Sequence, residues 1–160
     1  MQTEQYTVAI IKWNVVKKIP KYTHQDFGDK VSPNMPWWIE LYAGLHPTLQ
    51  KFKIEYSIGK HVTDRDWWKE FYIEHKGKEY LEPLIDYMTT DECQFFILSS
   101  NDAIKRWREL IGPTNAAMTK EPPTCLRANY GDNDALRSNG FHGSDSVEAA
   151  QREAELIRKL

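Results

Sequence analysis

"QFFILSSNDAIKRWRELI", residues 94–111, changes period in mid-stretch. Gln94 to Ser99 is an unbroken apolar run of strand length. From Asn101 onward the apolar residues fall at helical spacing. Asn101 is placed to cap a helix over 102–111 whose inward face is Ile104, Trp107 and Ile111. A buried strand feeding an amphipathic helix is half of an α/β unit.

The other half lies near the start of the chain. "YTVAIIK", residues 6–12, is a second β-branched run and suits a central strand. Between these two strands, Phe52, Ile54, Tyr56 and Ile58 alternate with Lys53, Glu55 and Ser57, which predicts a strand with one buried face. Thr63 with Asp66 reads as an N-cap pair for a helix through Trp67, Trp68 and Phe71. A further helix is expected over about 79–88, with Leu81, Leu84 and Ile85 inward. "WWIELYAGLHPTLQK", 37–51, has helical spacing until Pro47. Residues 17–36, with three prolines and no period, read as a long loop, and so do 112–139. A short strand around Phe141 leads into a last helix over 146–159. The order is β-α-β-β-α-β, an α+β fold with an antiparallel four-stranded sheet and helices on one face.

The bulk numbers set limits. The chain has 160 residues and a net charge of −2, with 41% hydrophobic and 28% charged residues. One globular domain spanning 1–160 accounts for that length. The charge balance argues against a broad nucleic-acid-binding face, and no apolar run is long enough for membrane insertion. Cys93 and Cys125 form neither a CxxC pair nor a disulfide framework, which favours a reducing, intracellular setting. No secretory leader is visible.

Two stretches concentrate phosphate-binding side chains. "RELIGPTN" offers Arg108, Thr114 and Asn115 around a Gly-Pro turn, and "PTCLRANYG" offers Arg127. The guanidinium fork meets phosphate oxygens with paired hydrogen bonds. No GxxxxGK[ST] loop is present. "RSNGFHGSDSVEAAQRE", 137–153, then sets His142 among glycines and small polar residues, just ahead of a helix. A neutral imidazole is nucleophilic near pH 7 and can carry a phosphoryl group covalently. Glu153 is placed to orient the ring, directly or through Ser144. Taken singly, His142 also reads as a surface residue and "HGSDS" as a helix N-cap. The residues by themselves support an anion-binding α/β domain with a candidate histidine nucleophile.

"NGFHGSDSVEAAQRE" resembles the active-site signature of the nucleoside diphosphate kinase family, N-x-x-H-G-S-D-S with a Glu eleven residues past the His. "FYIEHKGKEYLEPLIDYM", "DAIKRWRELIGPTN" and "TCLRANYG" follow in family order, so the resemblance covers residues 6–12 and 50–155. The wording of "EHKGK" and "WRELIGPT" is nearest the divergent group II, type-6 members, which are often linked to mitochondria.

The resemblance implies a ferredoxin-like fold and phosphoryl transfer from a nucleoside triphosphate to a diphosphate. It implies a ping-pong route through phosphorylated His142, with Mg²⁺ carried by the nucleotide. Lys12 matches the lysine that reaches the sugar and terminal phosphate. Tyr72 matches the tyrosine beside the histidine, and Ser144 and Glu153 match the pair that orients it. His75 stands where several members contact phosphate. Arg108, Thr114 and Arg127 match phosphate ligands, and Asn139 matches the residue that bonds the ribose. Tyr80 takes the place of the stacking phenylalanine, with Leu136 on the base's other face.

Departures accompany the match, among them Asn129 in place of a typical Asp and Ser138 set between Arg137 and Asn139. Lys12-Trp13-Asn14 stands where members read K-P-D, an insertion lies at about 17–36, and the loop from Gly112 to Arg127 is longer by about two residues. A homo-oligomer, or a protein partner docked through residues 17–38, follows from the family habit and the insertion. A kinase-fold subunit with little or no turnover, retained for interaction, is the alternative. The compartment implied is cytoplasmic or mitochondrial.

Overall fold

The computed structural model describes residues 4–18 and 52–160. The predicted helix at 37–51, the Trp37-Trp38 pair and nearly all of the 17–36 insertion lie outside these residues. Four antiparallel strands form one sheet in the order β2-β3-β1-β4. They are β1 (Glu4–Ile11), β2 (Lys53–Lys60), β3 (Cys93–Asn101) and β4 (Phe141–Gly143). This is the expected α+β, ferredoxin-like arrangement, with the two apolar runs as its central pair. Tyr6 pairs with Ser99 and Ile10 with Phe95 across β1 and β3.

Helices cover both faces of the sheet, not one. Val8, Ile10, Phe95 and Ile97 enter a core with Trp68, Phe71, Leu84, Ile85 and Ile157. Ala9, Ile11, Phe96 and Leu98 enter a second core with Val15, Trp107, Ile111 and Phe141. Continuous apolar character in β1 and β3 is therefore what two-sided burial demands. The first face carries α2 (Arg65–Phe71), α3 (Leu81–Met88) and α7 (Val147–Arg158). The second carries α1 (Trp13–Lys18), α4 (Ala103–Ile111) and α6 (Leu126–Tyr130), with the short α5 (Ala116–Thr119) beside α6.

Several local expectations need correction. Edge strand β2 does not keep one buried face. Its register against β3 shifts between Ile54 and Tyr56, so Ile54 packs on the second core while Tyr56 and Ile58 pack on the first. The cap of α2 is Asp64, not Thr63 with Asp66. The Asp64 carboxylate accepts from the Asp66 and Trp67 amides at 2.9 and 3.3 Å. Asn101 closes β3, and Asp102 holds the N-cap position of α4 at φ 53°. The side-chain bond to that helix end comes from Gln5, whose Oε1 accepts from Ile104 N at 3.0 Å. The stretch 112–139 is not a bare loop, since α5 and α6 lie within it. Lys17 and Lys18 end helix α1 and do not begin a loop.

Candidate active site

His142 is the middle residue of β4, paired with Ile10. Its neighbours Phe141 and Gly143 turn toward the second core, so the imidazole points to the opposite face. There it meets Phe71, with ring centroids 5.0 Å apart, and Tyr72, at 6.2 Å and 80°. Two glycines make this placement possible. Gly140 turns at φ +92°, where a side chain would be strained and would strike Val15. A Cβ on Gly143 would lie 2.6 Å from Trp107 Cδ1, and the same indole donates to the His142 carbonyl at 2.9 Å.

The ring is held by α7. Glu153 is buried, and its Oε1 is hydrogen-bonded to His142 Nε2. This leaves Nδ1 as the ring nitrogen without a partner among the described residues. The other carboxylate oxygen, Oε2, is buried and unpartnered. Ser144 does not join this pair. Its hydroxyl accepts from Val8 N at 3.0 Å and ties β4 to β1. Of the residues singled out in the sequence, Ser144 and Asn115 do not line the cleft. Ser144 secures the strand and not the ring.

The cleft beside His142 has a volume of about 230 Å³. Lys12, Tyr72, His75, Tyr80, Arg108, Thr114, Arg127, Leu136, Asn139 and Glu153 all line it. A shallower groove of about 880 Å³ between β1 and α7, past Tyr6 and Val147, contains none of these residues.

Lys12 follows β1 directly and is 3% exposed. Its amide donates to Gly140 O at 2.9 Å, and Nζ donates to the carbonyls of Leu136 and Arg137, each at 3.0 Å. Burial, reinforced by the nearby Arg127 charge, pulls its pKa down to about 7. Arg127, on α6, is itself lowered to about 10 by burial and by Arg108. Its Nη1 and Nη2 donate to Gly112 O and Phe141 O at 2.8 and 2.9 Å, while Nε is buried and unpartnered. The guanidinium is thus braced by backbone, with its fork partly committed. Burial pushes the Tyr72 phenol well above its usual range, and its hydroxyl has no partner among the described residues. Asn139 donates to Ala135 O at 2.8 Å and keeps a buried, unpartnered Oδ1. Buried donors and acceptors without partners among the described residues, gathered around one cleft, mark places where a polar ligand completes the bonding.

Phe71, Glu74, Asp145 and Arg152 are among the lining residues that the sequence did not single out as site residues. Asp145 was visible within "HGSDS". Arg152 donates to Glu74 at 3.3 Å and to Phe71 O at 3.4 Å, closing one wall. It is the chain neighbour of Glu153, and helical spacing alone gives no sign that both side chains reach one cleft.

Trp13, the bulkiest departure, stays clear of this space. It is partly buried against the first core, and its indole donates to Tyr87 O. The cleft remains open where the cationic side chains converge.

The family model for nucleoside diphosphate kinase matches residues 49–159. The chain belongs to the nucleoside diphosphate kinase family. Solved structures agree in fold. The nucleoside diphosphate kinase of Aquifex aeolicus is similar at 26% identity, with a TM-score of 0.75, over 97% of this chain and 95% of that one. The Encephalitozoon cuniculi kinase is similar at 19% identity and a TM-score of 0.73, over 95% of this chain and 87% of that one. A halophilic kinase from Halobacterium salinarum, in complex with CDP, is similar at 23% identity and a TM-score of 0.69, over 97% and 88%. As a member of this kinase family, the chain presents its histidine in a cleft of four basic side chains: Lys12, Arg108, Arg127 and Arg152.

Proposed function

We propose that this chain is an active, base-unspecific nucleoside diphosphate kinase that works by ping-pong transfer through phosphorylated His142. The observation that carries this reading is the pairing of His142 Nε2 with the buried Glu153 carboxylate inside the cationic cleft. The carboxylate accepts, so neutral His142 holds its proton on Nε2 and keeps the lone pair on Nδ1. Nδ1 attacks the γ-phosphorus of a bound triphosphate. The bond to the bridging oxygen breaks, and the nucleoside diphosphate leaves with that electron pair. The ring becomes cationic in the phosphorylated state, and the Glu153 charge stabilises it. A second diphosphate reverses these steps.

The remaining residues position the nucleotide. Arg108, Thr114, Arg127 and Lys12 hold the polyphosphate, and Lys12 with Asn139 Oδ1 meets the sugar hydroxyls. Tyr80 and Leu136 sandwich the base, and stacking suits any base because each has a π-face. Positioning and charge complementarity supply most of the acceleration in such transfers. Among the described residues there is no group of three or more His, Cys, Asp or Glu able to hold a metal ion. Mg²⁺ that enters on phosphate oxygens needs no such cage. No described helix is long and apolar enough to cross a membrane. The motif wording supports a place in the divergent group II branch, the cysteine usage supports an intracellular location in cytoplasm or mitochondria, and the family habit with the insertion supports self-association or a partner bound through 17–38.

The test uses γ-labelled ATP. Protein isolated after incubation is expected to carry an acid-labile label that moves to added GDP, and His142→Ala is expected to abolish both steps. Label that forms but never reaches GDP points to a phosphocarrier. Absence of label points to the interaction subunit.

A further inference from the structure

The cleft holds a second histidine whose ring is fixed by the residue assigned to base stacking. His75 ends a 3₁₀ turn, Ile73–His75, and Tyr80 stands at the N-cap of α3. The chain between them turns back on itself. Lys78 N donates to His75 O at 3.0 Å, and Leu81 N donates to Lys78 O at 3.1 Å. That turn brings the Tyr80 hydroxyl onto His75 Nδ1. Both side chains line the cleft, and His75 Nε2 has no partner among the described residues.

The direction of this bond follows from acidity. A phenol is a far better donor than a neutral imidazole N–H, and an unprotonated ring nitrogen is a far better acceptor than a phenol oxygen. The arrangement O–H···Nδ1 leaves the only ring proton on Nε2. We propose that Tyr80 is a positioning residue for phosphate binding, its hydroxyl locking neutral His75 as an Nε2–H donor toward the polyphosphate end of the cleft. The inference rests on the kinase reading above. It deepens that reading by tying the base-stacking residue to the phosphate grip, a tie that a phenylalanine at this position lacks.

The surroundings keep the ring neutral. Burial lowers the His75 pKa, opposed by Glu74 and, more weakly, by Asp145 and Glu153, while His142 lowers it further. Tyr72 lies against the ring at 5.8 Å, and Arg152 lines the same wall. A neutral donor here binds phosphate without adding a further titrating cation beside Lys12.

The test compares the full chain with Tyr80→Phe, which keeps the ring and removes the hydroxyl. Histidine ¹⁵N NMR is expected to show His75 protonated on Nε2 in the parent. The His75 titration is expected to move up in Tyr80→Phe, because the parent bond favours the neutral ring. A lower midpoint means that Nδ1–H donates to the phenol, an unchanged one means that the hydroxyl does not bias the ring, and on either result the proposal falls. MgADP affinity is expected to drop about fivefold at pH 8 in Tyr80→Phe. The gap should close as pH falls through the His75 titration, where a protonated ring donates from both nitrogens. In a His75→Ala background, Tyr80→Phe should cost nothing. A loss independent of pH, or one that persists in His75→Ala, means that the hydroxyl acts without His75 and overturns the proposal, and no loss at all leaves Tyr80 to stacking alone and overturns it too. If the parent does not bind MgADP at all, the kinase reading falls and takes the positioning role with it. If binding is intact but the pH coupling is missing, only the positioning role falls.

Discussion

The Trp13 indole donates its Nε1–H to the Tyr87 carbonyl at 2.7 Å, and the two rings lie 4.7 Å apart. The bulkiest departure from the family pattern is therefore an anchor between the end of β1 and α3. Trp13→Ala is expected to cost roughly 2–3 kcal/mol of stability, less than a fully buried tryptophan because the ring is only partly enclosed. Urea unfolding measures this loss, and KM for nucleotide should move less than twofold. A large KM change with unaltered stability would place the indole in the cleft after all.

Asn14 carries the second departure. Its Nδ2 donates to Asp132 Oδ2 at 3.0 Å and to Ser138 O at 2.8 Å, and Lys18 binds the other Asp132 oxygen. An aspartate here would have no proton to donate and would face a second carboxylate. Asn14→Asp is expected to lose about 1–2 kcal/mol, from the two lost side-chain bonds and the facing Asp132 carboxylate, while the Ser138 carbonyl keeps its bond from Asp132 N at 2.8 Å. Denaturation of this variant and of Asn14→Asp combined with Asp132→Asn decides the matter. The pair should recover part of the loss, and no recovery would rule out carboxylate repulsion as a contributor.

Lys12, lowered to about 7 by burial and then by Arg127, is partly deprotonated in the free protein at neutral pH. An arriving polyphosphate favours its charged form, so binding takes up a proton. Titration calorimetry of MgADP at pH 8, in buffers of different ionisation enthalpy, should register uptake that fades below pH 6. Stability carries the same signature. The unfolded lysine keeps its proton up to about 10.5 while the folded one loses it near 7. Over that window the unfolded state binds more protons, so stability from this group rises with pH. A flat profile between pH 7 and 10 in the free protein would contradict it.

Glu153→Gln keeps a side-chain oxygen able to accept from His142 Nε2 but removes the negative charge. Transfer to GDP is expected to fall about 100-fold. The variant should still fold, since its partner bond survives. Stopped-flow phosphorylation by ATP would measure the step directly, and a change under threefold would reduce Glu153 to packing.

The two central strands and the His142 motif were legible because each is written within a few consecutive residues. What escaped is set by residues distant in sequence. Gln5, on another strand, caps α4, a bond that local propensity cannot foresee. A bulge turns β2 between Ile54 and Tyr56, and alternation continues on either side of it without showing the shift. Short helices α5 and α6 sit in a stretch rich in Pro, Asn and Thr, where packing outweighs composition. Within the cleft, the resemblance supplied spacing and residue type, but not which atoms are already taken. That Arg127 spends donors on Gly112 and Phe141, or that Ser144 serves β1, belongs to three-dimensional placement alone.

His142 is the central member of a strand only three residues long, pinned to its neighbour by Ser144. Adjacent positions on such a ribbon face opposite ways. Adding or deleting one amino acid between Gly140 and Ser144 would swing the imidazole into the wrong half of the molecule. That short segment therefore admits no change in residue count, just as its two glycines admit no side chain.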